Sequence, residues 1–140
     1  MRKLPKTMRS APFVQNLGLK FPKMENGYCL AETRVTDEML NNYGNVHGGV
    51  LFTIADAASG AAAFFALSEG ELCRTIELKI NYFKPVISGE IICEATLVNK
   101  SRNLATVEAE VTNNQQIIAK TLGTYFIQQI DPERDKSKEQ

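Results

Sequence analysis

The chain has 140 residues, 44% hydrophobic and 23% charged, with 16 basic and 16 acidic residues and a formal net charge of zero. That is enough for one domain with a real core. The charge balance points to neither nucleic acid nor an anionic membrane surface as a partner. Three cysteines, Cys29, Cys73 and Cys93, are odd in number and lack metal or redox spacing, which fits a reducing cytoplasm.

Residues 1–10 read as a basic N-terminal tail, with Arg2, Lys3, Lys6 and Arg9 and no apolar core of signal-peptide length. Residues 11–18 fit a short helix stopped by Gly18. Residues 17–23 then fit a strand, Asn26-Gly27 a hairpin turn, and residues 28–35 the returning strand, with Tyr28, Leu30 and Val35 expected inward. Thr36 is placed to cap a short helical turn with Asp37 and Glu38 in its first turn. A loop of turn formers, NNYGNV, follows.

The longest apolar run, residues 50–67, is about the length of a minimal membrane span. It holds Thr53, Asp56 and Ser59 among alanines and glycines, and so reads as a core helix starting near Gly48-Gly49. Leu51, Ile54, Ala58, Ala61 and Phe65 recur at helical spacing. The opposite stripe, Thr53, Asp56, Gly60 and Ala63, is too small and apolar for a solvated face, so burial nearly all round is expected. Four strands are expected after the helix, over residues 75–83, 90–99, 104–112 and 117–129. Residues 130–140 carry dense mixed charge and read as a disordered tail. The order is α+β: one long helix against the concave face of a curved antiparallel sheet of five to six strands. Such a sheet leaves edges that a second copy can cover.

The single histidine, His47, excludes an all-histidine metal site, and no ligand spacing supports a mixed one. No phosphate-binding glycine loop or nucleophile elbow is present. His47-Gly48-Gly49 admits two readings. It is either a tight loop-to-helix turn, or a helix N-terminus whose free N–H groups meet a carbonyl oxygen that glycine lets come close. His47 itself is expected to hold the 41–46 loop by hydrogen bonds. A carboxylate inside an apolar helix is costly. Asp56 is therefore either satisfied by Thr53 or Ser59, or serves as a general base or nucleophile. Gly48 and Asp56 lie eight residues apart, roughly 12 Å along a helix. They can act on one carbonyl only if Asp56 comes from a second subunit of a symmetric dimer.

N41-N-Y-G-N-V-H-G-G49 followed by Asp56 in LFTIAD, with TIELKINYFKP beyond, resembles the hotdog-fold acyl-CoA thioesterases of the phenylacetate-pathway (PaaI-like) type. The likeness extends loosely to APFVQNLGLKF and covers most of residues 11–128, implying a thioesterase domain over 11–129. It implies homodimers, often homotetramers, and an acyl-CoA substrate with CoA as part of that substrate, hence no separate cofactor and no metal. Gly48 would polarise the thioester carbonyl through its N–H. Asp56 of the opposing subunit would be nucleophile or base, Asn41 would orient water or substrate, and His47 would support the loop and could also serve the carbonyl. Thr75 stands where related members carry an assisting serine. CoA would run along Tyr82, Phe83, Lys84 and Pro85 and the turn Lys100, Ser101, Arg102 and Asn103, with Lys84, Lys100 and Arg102 available for phosphates. The alternative is a non-catalytic acyl-CoA-binding module, a sensor or carrier.

Overall fold

The computed structural model describes residues 11–130; the expectations for residues 1–10 and 131–140 lie outside the described residues. A short helix α1 (Pro12–Asn16) leads through Gly18, at φ +62°, into β1 (Lys20–Glu25) and β2 (Tyr28–Arg34). A 3-10 turn (Asp37–Met39) and a loop precede the long helix α2 (Gly48–Phe65). Then come β3 (Glu71–Tyr82), β4 (Glu90–Lys100), β5 (Leu104–Asn113) and β6 (Gln116–Gln129). All pairings are antiparallel, in the order β1-β2-β4-β5-β6-β3. Helix α2 packs against all six strands. The long helix and six-stranded sheet are the architecture expected from the sequence.

Several local expectations are corrected. The first strand begins at Lys20, because Leu17 and Gly18 still close α1 through Leu17 N–H to Val14 O and Gly18 N–H to Gln15 O. The third begins at Glu71, four residues before Thr75. The hairpin between β5 and β6, expected from the sequence to turn on Asn113-Asn114, turns on Asn114 and Gln115, both at positive φ. Thr36 makes no side-chain cap. Ile130, assigned to the tail, donates its N–H to Gly70 O at 2.7 Å.

The inward face of β2 is also reversed. Cys29, Ala31 and Thr33 are buried, while Tyr28, Leu30 and Val35 are half-buried. The reason is the helix. Cys29 lies opposite Ala95 and Ala31 opposite Cys93, so small side chains floor the concave face where the alanine-rich helix comes close. Burial pushes both Cys29 and Cys93 thiols up to about 12, which leaves them inert as nucleophiles.

Helix α2 is not buried all round within one chain. Leu51, Ile54, Ala55, Ala58, Ala62 and Phe65 are buried, whereas Gly49 and Phe52 are exposed and Thr53, Asp56, Ala57 and Gly60 half-exposed. This open stripe runs beside β3, which is the sheet's edge strand after α2. Ile54 is 0% exposed at the centre of the core. Ile54→Ala is expected to cost about 3 kcal/mol, read by urea unfolding at fixed protein concentration. Val98→Ala, at an exposed position, should cost under about 0.5 kcal/mol.

Candidate active site

The first part of the site is the start of α2. His47 has extended backbone (φ −58°, ψ 136°), and its Nδ1 accepts the Gly49 N–H at 2.8 Å, so it is the helix N-cap. The side chain therefore does not hold the preceding loop. Asn41 does that: its Oδ1 accepts the N–H groups of Tyr43 and Asn45 at 2.9 and 3.1 Å. The His47 N–H is bonded to Met39 O and the Val50 N–H to His47 O. The Gly48 N–H has no acceptor among the described residues. It adjoins a cleft of about 330 Å³ whose lining includes Asn41, Gly48, Tyr82, Phe83, Lys84 and Pro85. Space is tight here: a Cβ on Gly48 would lie 3.1 Å from the Tyr82 hydroxyl oxygen, so that side chain would have to give by a few tenths of an ångström. That hydroxyl donates to Gly48 O at 2.7 Å and so fixes the first helical turn. The Lys84 ammonium donates to Gln116 Oε1 at 3.1 Å.

The second part is Asp56, two turns along the same helix. Its expected partners are not its actual ones. The Thr53 hydroxyl donates to Gly49 O at 2.8 Å, and Ser59 makes no hydrogen bond to the carboxylate. Asp56 Oδ1 instead accepts from the Thr75 hydroxyl at 2.8 Å and the Tyr125 hydroxyl at 2.9 Å. Thr75 thus lies against the carboxylate, in the fifth position of β3. Tyr125 was missed, because it reads as one more inward residue of the last strand.

The two parts do not meet within one chain. Tyr82 pairs with Ala119 of β6, while Thr75 pairs with Tyr125, further along the same strand. The turn holding Lys100, Ser101, Arg102 and Asn103 belongs to the Asp56 end, since Ile127 N–H bonds to Asn103 O and Leu104 lies opposite Phe126. Ser101 closes that turn through its N–H and hydroxyl to Leu104 O. One cleft therefore holds Asn41, Gly48 and residues 82–85, while Asp56 and Thr75 lie toward the end of β6 where the 100–103 turn sits.

Comparison with known proteins bears on this arrangement. Residues 43–120, which include Gly48, Asp56, Thr75 and Tyr82, match the family model described as the thioesterase superfamily. The chain belongs to the thioesterase superfamily. Its subgroup is the PaaI-like one. A relative from Archaeoglobus fulgidus is 36% identical over 112 residues, covering 79% of this chain and 71% of its own. The acyl-coenzyme A thioesterase PaaI of Escherichia coli is 28% identical, covering 71% and 70%. The solved structure of a point mutant of the phenylacetic acid degradation protein PaaI from Thermus thermophilus is 30% identical, with a TM-score of 0.77 over 82% of this chain and 97% of that one. The six-stranded sheet around α2 is thus a hotdog fold, and this hotdog thioesterase carries its two polar groups on the open side of the helix.

Proposed function

We propose that this thioesterase hydrolyses an acyl- or aryl-CoA thioester to the free acid and CoA at a site shared between two copies of the chain. The observation that carries the reading is the free Gly48 N–H at the cleft, set against an Asp56 carboxylate fixed on the same helix roughly 12 Å away. Neither group can serve the other's carbonyl within a chain. An antiparallel second copy, laid along the open stripe of α2 and the β3 edge, would bring each Gly48 toward the other's Asp56.

The chemistry then follows. The thioester oxygen accepts the Gly48 N–H, assisted by the positive end of α2. Asp56 takes a proton from water, whose oxygen attacks the carbonyl carbon, or attacks that carbon itself to form an anhydride that water opens. The C–S bond breaks and its electrons leave with sulfur as the CoA thiolate, which takes up a proton. A thiolate departs readily, so neither a metal nor a histidine base is needed. Asn41 holds the loop that shapes the cleft. Lys84 from one chain, with Lys100 and Arg102 from the other, would meet the CoA phosphates.

The direct experiment is release of free CoA thiol from a panel of aryl- and alkyl-CoA esters. Turnover of at least one ester, saturable in the micromolar to millimolar range, is the expected result. Tight acyl-CoA binding with no turnover on any ester would make the protein a sensor or carrier instead.

A further inference from the structure

Tyr125 lies on β6, 69 residues from Asp56, yet its hydroxyl donates to Asp56 Oδ1 at 2.9 Å. The backbone oxygen of Asp56 is its next neighbour, at 3.3 Å. The ring is 1% exposed, among the largest fully buried side chains. Two glycines bracket it: a Cβ on Gly60 of α2 would lie 3.6 Å from one ring edge, and a Cβ on Gly123 of β6 3.1 Å from the other. The phenol is therefore held in place by packing, independently of the hydrogen bond. The Thr75 hydroxyl reaches the same Oδ1 from β3. Both donors converge on one oxygen, and Oδ2 has no hydrogen-bond partner among the described residues.

We propose that Tyr125 is the positioning residue of the Asp56 carboxylate: with Thr75 it locks Oδ1 and turns Oδ2 toward the substrate. The inference rests on Asp56 being the reacting group. A donor hydrogen bond to a carboxylate favours its charged form, and matters more as water leaves the site. Burial, with the Asp56 carboxylate beside it, holds the Tyr125 phenol far above the usual tyrosine range, so it donates a proton and does not compete as an anion. The groups bonded to the Asp56 carboxylate are Thr75 from β3 and Tyr125 from β6, with Thr53 and Ser59 three residues to either side on its own helix. The Cys73 thiol donates to Gly60 O. The neighbouring charged side chains of β3, Arg74 and Glu77, lie on the sheet's other face, bonded to Gln128 and Thr124.

The test is the pH dependence of kcat/KM, which reports ionisations of the free enzyme, for wild type and Tyr125→Phe. This change deletes one hydroxyl and keeps the ring. kcat should fall about tenfold with KM within about twofold. The acid limb should move up by about one pH unit, a tenfold change in the ionisation constant. Site-specific 3,5-difluorotyrosine at position 125 is a more acidic donor and should move the limb down. This second variant decides the matter if Tyr125→Phe does not fold. A lowered Tm with kcat and the acid limb unmoved, or no downward shift with difluorotyrosine, would make Tyr125 a packing residue and overturn the proposal. Asp56→Asn in the same assay separates the two levels. If its turnover survives, the underlying reading fails. If it is lost while the Tyr125 variants shift nothing, only the role of Tyr125 fails.

Discussion

Asp56→Ala is expected to lower acyl-CoA turnover about a thousandfold, the middle of the range for a well-placed base, and to leave the fold intact. The first half follows from the site's inventory. Asp56 is the acid that Thr75 and Tyr125 hold on the open side of α2, and the buried thiols of Cys29 and Cys93 cannot substitute for it. The second half follows from its surroundings. Asp56 is half-exposed in a helix, so truncation to a strong helix former opens no cavity in the core. The Thr75 and Tyr125 hydroxyls lose an acceptor, at a cost of about 1–3 kcal/mol, and Tyr125 keeps the Asp56 backbone oxygen nearby. Asp56→Asn is the finer probe. Its amide oxygen can accept both hydrogen bonds while losing the basicity, so loss of turnover there isolates chemistry from geometry. Thiol release, with circular dichroism on the same samples, reads both halves. Turnover within about tenfold of wild type in either variant would remove Asp56 from the mechanism.

The second large effect is recovery of activity from two dead proteins. Gly48→Pro deletes the N–H at the first helical position, where proline is best tolerated. The preceding His47 already has the extended conformation proline demands of its neighbour. A Cβ at position 48 meets only the end of the Tyr82 side chain, which must give by a few tenths of an ångström. Gly48→Pro and Asp56→Ala homodimers should both be inactive. A heterodimer would pair one intact Gly48 with one intact Asp56 in one of its two sites. Random co-refolding gives half heterodimers, each with half its sites working, so about a quarter of wild-type activity should return. Heterodimers shown by mass spectrometry to have formed but to remain inactive would place the whole site within one chain.

The parts of this protein legible in sequence are those whose causes are local. Asn26-Gly27 marks a hairpin, and Gly27 sits at φ +74° because only such a turn joins β1 to β2. The alanine-rich run after His47-Gly48-Gly49 is a helix, and its apolar period names Leu51, Ile54, Ala58, Ala61 and Phe65 as core. Eight residues of helix separate Gly48 from Asp56 whatever surrounds them, so the distance argument for a shared site needs no tertiary information.

What the sequence left undetermined is set by pairing across the sheet. Period-two alternation shows that β2 has two faces, but the inward one is chosen by the helix, which accepts Cys29 and Ala31 and not the bulkier Tyr28 and Leu30. Asn41 holds the loop expected of the His47 side chain, because the cap geometry of α2 turns the imidazole forward onto Gly49. Thr75 and Tyr125 meet at one carboxylate oxygen only because β3 crosses to the far edge and pairs with β6 in that register. Local chemistry determined which residues could react. The long-range strand pairing decided which of them touch, since contacts between residues tens of positions apart leave no periodic trace in the chain.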